Sequence, residues 1–514
     1  MGQAAQTTAA AVHETPSSVH IARNAAALVA GQAVTMVLGI LFSAMLGRAL
    51  GVGDFGLYFL INSFAAFALV LVDWGQQWFG VREVAKAPER GGDFLGTGLV
   101  LRVVGTLLVC VPSGLAAWAL GYDRRTIWFA VAFIALSTPL FLAQNFGMVF
   151  RGRDRMGLDA AVSVANRAVL LVLTMAALAL GLGLGGVVVT QGLAGAAALA
   201  LAFRLYRRVA NGPLRFSTAT ARELLHGGTA LAAVALASYI QPYIDAVLLS
   251  KLAPAEVMGY YGAAKSIMGT LLAPAVILGT ASFPRLSRAA KDRALLQREY
   301  LTAQRPMLWL GALVGVGTWL FADVAISVVY GHRQYGPAGI ILKVYGIGLF
   351  LIFVDMLVGM TLTALGRASS FAVLKGLSVV LGVGLELIFI PYFQHRVGNG
   401  GIGVTLANTL SEMALLVGGL LSMPRGMLVA PVFVDGGRAL ACGGLTVLLF
   451  QWMPPLSPWV GIPACILAFA SFSAVLGLVR RGDLAVALAL LRRSAVAHEA
   501  LPDTVEPATG SSVE

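Results

Sequence analysis

Long apolar segments dominate this 514-residue chain and constrain its fold more than any other feature. They recur as runs of about 20 residues, the length at which an α-helix crosses the hydrocarbon core of a bilayer. Hydrophobic residues make up 58% of the chain and charged residues only 12%. The connections between the runs are too short to bury a soluble core of their own. We therefore expect an all-α polytopic membrane protein with about 14 transmembrane helices.

The basic residues indicate the orientation of these helices. Most of the 36 lysine and arginine residues lie beside alternate ends of the predicted spans. Positive charges near span ends mark the cytoplasmic side, so both termini are predicted to be cytoplasmic. The net charge of +12 is spread along the chain and does not form one basic domain. This pattern argues against a nucleic-acid partner and for contact with anionic membrane lipids.

Motifs for catalysis, metal binding or cofactor binding are not evident. Cys110, Cys442 and Cys465 lie in apolar segments without the paired spacing of a disulfide framework or zinc site. The glycine motif at residues 181–186 lies between two apolar spans, where it favours a tight hairpin over a nucleotide site. The sequence therefore predicts no enzymatic activity, no cofactor and no metal.

An internal repeat divides the chain into two related halves. Four residues recur at a constant offset of 203 positions: Arg48 and Lys251, Gly56 and Gly259, Tyr58 and Tyr261, and Arg82 and Arg285. An even number of spans separates the members of each pair, so the halves share one orientation and form a parallel repeat. Paired repeats of this kind enclose a central cavity in transporters. Alternating access is therefore the expected mechanism.

This repeat predicts five parts of the chain. They are a disordered tail at residues 1–20, an N-lobe of six spans at 21–210, a C-lobe of six spans at 211–425, two further spans at 426–480, and a cytoplasmic tail at 481–514.

Several segments resemble bacterial polysaccharide-export flippases of the multidrug/oligosaccharidyl-lipid/polysaccharide exporter superfamily. In the first half these are residues 48–58, 73–75 and 81–83. In the second half they are 243–245, 258–265 and 283–287, and the resemblance covers roughly residues 20–425.

The resemblance implies two six-helix lobes arranged as in multidrug-extrusion (MATE) transporters. It also implies a flippase that moves an undecaprenyl-diphosphate-linked oligosaccharide across a bacterial inner membrane for surface polysaccharide synthesis. A polysaccharide polymerase is an expected partner, and a proton or sodium ion an expected coupling ion. The last two spans are predicted either to pack on the bundle or to form a lipid-facing groove.

Ionisable residues inside the spans are the first candidates for a site, because each costs about 3 kcal/mol or more in the membrane unless it is paired or hydrated. Lys265 is the leading candidate for binding the diphosphate, and Asn62 occupies the equivalent position in the first half. Tyr261 and Arg48 complete the candidate substrate-binding set. Asp245 is expected at a depth similar to that of Lys265, so a structural ion pair and a working role both stay open.

Acidic residues in the spans are candidates for cation coupling or gating. These are Asp245, Asp73, Asp355, Glu386 and Glu412, where the deeper acids are alternatively partners of Lys343 or Lys375. Asp73 is predicted to be an ordinary interfacial anchor, and the alternative is that it receives the headgroup or closes an inner gate against Arg82.

Arg82 and Arg285 form a repeated motif at the cytoplasmic face, where lipid phosphate or helix ends are the expected partners. Two alternative functions remain open from the sequence. One is a drug/cation antiporter of the multidrug-extrusion branch, and the other is a membrane polysaccharide polymerase or glycosyltransferase.

Overall fold

The structure is a computed structural model that describes residues 18–209, 212–454 and 456–479. The described part is helical and contains no strand. Its α-helices are α1 Ser18–Asp73, α2 Gln76–Lys86, α3 Gly91–Ala119, α4 Arg124–Leu136, α5 Thr138–Asn145, α6 Gly147–Gly152, α7 Met156–Ala179, α8 Gly183–Val209, α9 Thr218–Leu252, α10 Ala255–Leu271, α11 Ala273–Ala289, α12 Arg293–Tyr330, α13 His332–Tyr335, α14 Ala338–Ala364, α15 Ala368–Val397, α16 Gly400–Leu421, α17 Ala430–Trp452 and α18 Pro458–Val475.

The described residues contain 12 helical stretches that are long and apolar enough to cross a membrane. The first stretch bends at Gly51, whose φ of 74° breaks α1 into two antiparallel legs, so it holds two of the predicted spans. Helix α9 is not one of these 12 stretches, and it lies where the first span of the predicted C-lobe is expected. The all-α polytopic fold is therefore confirmed. The cytoplasmic tail and most of the N-terminal tail lie outside the described residues, and α1 already begins at Ser18.

The two repeated halves pack closely against each other. The second leg of α1 lies along α10 and α9, and the main cluster of buried apolar side chains extends from α1 through α10 to α14. Within the second half, α12 packs on α14 and α15 packs on α16, while α17 packs on α12 and α18. We call the end of the bundle with Arg48 and Lys251 the outer end and the end with Arg82 and Arg285 the inner end, following the predicted orientation.

Candidate functional site

A cluster of polar side chains surrounds Asp245 in the second half of the bundle. Lys265 Nζ and the Tyr261 hydroxyl each donate a hydrogen bond of 3.0 Å to Asp245 Oδ2. Asn408 Nδ2 donates a third bond of 3.0 Å to the same oxygen, and Lys265 Nζ also lies 2.6 Å from the Tyr261 hydroxyl. The side chain of Asp245 is only 3% exposed. Three donors therefore stabilise one buried carboxylate oxygen, as a buried charge requires.

Three helices supply this cluster. Tyr261 and Lys265 are four residues apart on α10, so they share one face of that helix. Asp245 comes from α9, three residues after Pro242 inside that helix, and Asn408 comes from α16. Helix α10 begins at Ala255, which places Lys265 about 15 Å below the outer end at 1.5 Å per residue. The apolar run in the sequence places Lys265 only seven residues into its span, about 10 Å deep, so the residue lies deeper in the bundle than the sequence indicates.

Glu386 lies beside this cluster, and no described side chain donates a hydrogen bond to it. The residue is fully buried in α15, and neither carboxylate oxygen has a hydrogen-bond partner among the described residues. Its carboxyl is close enough to Asp245 and Lys265 to interact electrostatically with both. A second acid therefore stands next to the Asp245–Lys265 pair without a donor of its own.

The cluster opens into a cavity of about 330 Å³ within the second half, with a mostly apolar wall that carries several ionisable and amide side chains; we call it the polar cavity after these side chains. Its lining includes Asp245 and Lys265 at one part and Lys375 and Glu412 at another. Lys375 Nζ lies 2.6 Å from Glu412 Oε1, so the cavity holds two lysine–carboxylate pairs. Glu412 is thus paired with Lys375, one of the two arrangements left open by the sequence.

Other predicted substrate-binding residues lie away from this cavity. Arg48 donates hydrogen bonds to the backbone carbonyls of Val328 and Val329, near the end of α12 at the outer end of the bundle. Asn62 is exposed and does not line the cavity, although it corresponds to Lys265 in the repeat. Asp355 is buried in α14, where its Oδ1 has no hydrogen-bond partner in the described structure.

Asp73 and Arg82 have different partners in the structure. Asp73 accepts a hydrogen bond from Arg102, which is fully buried and also donates to the Phe141 carbonyl. Arg82 pairs with its neighbour Glu83 at 2.9 Å and is largely exposed. Asp73 pairs with Arg102 and not with Arg82 because the guanidinium of Arg102 is buried in α3 beside the end of α1. An unpaired charge at this position would be costly.

Arg285 has a similar surface position at the inner end. It forms an ion pair of 2.7 Å with Glu299 and is about half exposed. Both members of the Arg82–Arg285 repeat therefore carry exposed guanidinium groups at corresponding ends of the two halves.

Glycines allow the halves to approach closely at the outer end. A Cβ on Gly56 would lie 2.5 Å from the Ala255 carbonyl oxygen and 2.8 Å from the Gly259 nitrogen. Cβ atoms do not approach other atoms within 3.0 Å, so only glycine fits here. Gly56 and Gly259 are a pair in the internal repeat, and they meet where the two halves touch. A Cβ at either position would clash with the backbone of the other half, which explains why the repeat carries glycine at both positions.

A second close approach lies at the inner end. The backbone turns sharply after α1 at Trp74 and Gly75, which have φ values of 45° and 71°. A Cβ on Gly228 of α9 would press against the Trp74 carbonyl oxygen, well inside 3.0 Å. Arg90 also forms an ion pair of 2.7 Å with Glu223 across this contact. The two halves are therefore closed together at both ends of the bundle.

The last two spans pack on the second half. Asp435 of α17 is buried and pairs with Arg305 of α12 at 3.0 Å and with Arg438 at 3.1 Å. A largely apolar groove of about 490 Å³ lies between α12, α14 and α17. Gly346 and Phe350 line this groove, whereas Gly348 and Ile352 line the polar cavity, so α14 separates the two spaces. The last two spans therefore pack on the second half and border this groove.

Solved structures of transporters share this fold at low sequence identity. The lipid II flippase MurJ in an inward closed conformation aligns with a TM-score of 0.71 at 14% identity, covering 87% of this chain and 98% of that chain. An inward-facing multidrug resistance MATE family transporter of the MOP superfamily aligns with a TM-score of 0.63 at 16% identity, covering 76% and 94%. A mutant of the Vibrio cholerae MATE transporter VcmN aligns at 0.55 with 14% identity, covering 81% and 98%.

The chain thus has the fold of these multi-pass membrane transporters. Sequence comparison then gives the family. The model of the polysaccharide biosynthesis protein family matches residues 21–290, more than half of the chain. The chain belongs to this family, and the resemblance drawn from its repeated segments is confirmed. No curated protein matches it in a sequence search.

Sequence reasoning missed part of the polar site. Asn408 and Gln241 complete the network, since Gln241 Nε2 donates a bond of 2.7 Å to Asn408 Oδ1. The sequence indicates Lys375 only as a partner of an acid, and nothing in it marks Tyr345, which also lines the cavity. An amide inside an apolar span was the one available signal for Asn408. Its alignment with Asp245 depends on how α16 rotates against α9.

Proposed function

We propose that this protein moves polyprenyl-diphosphate-linked oligosaccharides, with undecaprenyl as the expected tail, from the cytoplasmic to the outer leaflet of a bacterial inner membrane. Membership of the polysaccharide biosynthesis family supports this role, since lipid-linked oligosaccharide is the cargo that the resemblance implies. The polar cavity provides the chemistry that a diphosphate headgroup needs.

The observation that carries the proposal is the Lys265–Asp245–Tyr261 network at the cavity wall. Lys265 is a cation deep in the bundle, and its side chain remains 21% exposed although its helix is apolar. Such a cation is stable only with a partner or water. In the closed protein Asp245 serves as the partner of Lys265. When cargo is bound, a phosphate replaces Asp245 as that partner, and the Tyr261 hydroxyl continues to position the Lys265 ammonium group.

Alternating access follows from the closure at both ends. The 330 Å³ cavity can hold a small anionic group but not an oligosaccharide, so the halves must separate to admit cargo. Opening between Gly75 and Gly228 exposes the inner end, and opening between Gly56 and Gly259 exposes the outer end. Each glycine contact lies between the two halves, so each can be released while the other remains closed.

Asp245 and Glu386 supply the proposed coupling to a cation gradient. Once phosphate occupies Lys265, Asp245 loses its cationic partner and a buried carboxylate becomes unfavourable. Uptake of a proton or sodium ion at the two acids offsets that loss. Moving one such charge across 100 mV supplies about 2.3 kcal/mol, enough to bias the direction of transport.

The first experiment measures polyprenyl-diphosphate glycolipids in a strain that lacks the protein and in the complemented strain. A complete oligosaccharide intermediate should accumulate in the first strain and disappear in the second. Its mass identifies the cargo. Without accumulation during active polymer synthesis, the flippase assignment would be abandoned.

A matched pair of substitutions tests the site itself. Lys265→Ala should impair export at normal protein abundance, whereas Lys343→Ala should not, because Lys343 pairs with Asp323 away from the cavity. Asp245→Asn should abolish the dependence of transport on a proton or sodium gradient. Normal export by Lys265→Ala would remove this residue from the site, and an unchanged dependence would remove Asp245.

A drug/cation antiporter is the second candidate, favoured by the unpartnered carboxyl of Glu386. An organic cation could bind between Glu386 and Asp245 in place of Lys265. This reading predicts drug sensitivity in the strain that lacks the protein, with no change in its glycolipids. A polymerase or glycosyltransferase would instead leave the oligosaccharide incomplete or unpolymerised.

A further inference from the structure

The polar cavity contains a second lysine–carboxylate pair that the proposed function does not use. Lys375 of α15 and Glu412 of α16 lie on its wall, 2.6 Å apart, and within the described part of the chain their hydrogen bond is separate from those of Asp245. Both residues lie in apolar helices that span the bundle. Their position at one cavity with Lys265 needs an explanation beyond helix packing.

The exposed fractions of these side chains support a binding role. Lys375 is 28% exposed and Glu412 is 14% exposed, so the pair faces the cavity instead of being sealed in the protein. If the only role of this ion pair were to hold α15 against α16, a position away from the cavity would do so equally well. An apolar pair of the same size would also serve, since buried ion pairs contribute little net stability.

The two lysines lie at different depths in the bundle, Lys375 nearer the inner end and Lys265 nearer the outer end. Lys375 lies seven residues into α15, about 10 Å from the inner end of the bundle. Lys265 lies about 15 Å from the outer end on α10. The cavity therefore carries one cation towards each end. Each cation is held by a carboxylate that an incoming anion can displace.

We propose that Lys375 is a second phosphate-binding residue, facing the inner end, and that Lys375 and Lys265 together hold the two phosphates of a diphosphate headgroup. Arriving phosphate displaces Glu412 from Lys375 and Asp245 from Lys265. The headgroup contacts Lys375 first when the inner end is open and leaves past Lys265 when the outer end is open. This inference rests on the proposed function, because it assigns a further subsite to the same diphosphate cargo.

The test is equilibrium binding of farnesyl diphosphate to the purified full-length protein in nanodiscs, with farnesol as the uncharged comparison. Lys375→Gln should weaken farnesyl diphosphate binding about ten- to hundredfold, the loss of one charge-assisted hydrogen bond in a partly buried site. Lys375→Arg should retain most of the affinity. Glu412→Gln should tighten binding, because Lys375 then has no carboxylate to release.

Lys343→Gln is the matched control. Lys343 has the same exposed side-chain fraction of 28% and also forms an ion pair, but it does not line the cavity. Its substitution should leave the affinity unchanged. An equal loss in Lys343→Gln and Lys375→Gln would show a general charge effect and overturn the inference.

The outcomes separate this inference from the proposed function. If the wild type binds and Lys265→Gln weakens binding while Lys375→Gln does not, the second subsite is wrong and the proposed function stands. If the wild type binds the diphosphate no better than farnesol, the proposed function fails and the subsite with it. If Lys375→Gln does not fold, Glu412→Gln decides, and unchanged affinity in that variant overturns the inference.

Discussion

Substituting Gly56 by alanine should open the outer end of the bundle. The new Cβ would lie 2.5 Å from the Ala255 carbonyl oxygen, whereas ordinary contact begins at 3.4 Å. The second leg of α1 and α10 must therefore separate by about 0.9 Å, the difference between these distances. Backbone atoms on α10 cannot move aside as a flexible side chain can, so the strain falls on the contact between the halves.

The strain acts only on conformations in which the outer end is closed. Overpacking of this kind costs about 1–3 kcal/mol. If that cost is absent when the halves separate, the population with an open outer end rises about five- to hundredfold. Gly53→Ala is the matched control on the same helix leg, because a Cβ there meets nothing within 4 Å.

The assay uses one reporter cysteine in the cavity. Thr409→Cys places a thiol on the cavity wall, in a background where Cys110, Cys442 and Cys465 are replaced by alanine. A membrane-impermeant maleimide added at the outer side should label Thr409→Cys faster by the same factor in Gly56→Ala. Equal labelling rates in Gly56→Ala, Gly53→Ala and the parent would refute the steric argument.

Three further substitutions test other contacts. Gly228→Ala should open the inner end, because its Cβ would press on the Trp74 carbonyl; the reporter cysteine should then react faster with maleimide from the inner side only, and faster labelling from the outer side would contradict this. Tyr261→Phe removes the hydroxyl that bridges the lysine and Asp245, so export should fall several-fold at normal abundance, and normal export would show that the hydroxyl is dispensable. Asp435→Asn weakens the ion pair with Arg305 of α12 and the ion pair with Arg438 within α17, and should lower stability by about 2 kcal/mol, visible as a lower thermal unfolding midpoint in detergent; an unchanged midpoint would show that the partly exposed Arg305 pair does not hold α17 to α12.

The local part of the site was accessible from the sequence. Tyr261 and Lys265 share a helix face by their spacing, and Asp245 was expected at a similar depth on the preceding span. Their observed hydrogen bonds follow from those two facts. The exact depth of Lys265 was not accessible, because α10 begins earlier than the hydropathy of its first residues indicates.

The partners of other charged residues depend on helix rotation. Asp73 pairs with Arg102 and not with Arg82, and Glu412 pairs with Lys375 and not with Lys343. In a membrane protein the lipid-facing and core-facing sides of a helix are both apolar. The pattern of hydrophobic residues therefore does not say which side of a span carries a charge towards the protein interior.

The sequence by itself determined the membrane-spanning class, the two related halves and the family, because these depend on the length of apolar segments and on residues repeated at fixed spacing. It also marked Gly56 and Gly259 as equivalent positions. Only the tertiary structure decided that these glycines touch, that Arg48 and Asn62 lie away from the cavity, and that Lys375 shares it with Lys265. The physical reason is that bilayer solvation acts on each span separately. Rotation and distance between spans are set by side-chain packing, hydrogen bonding and close backbone contacts between segments far apart in the chain.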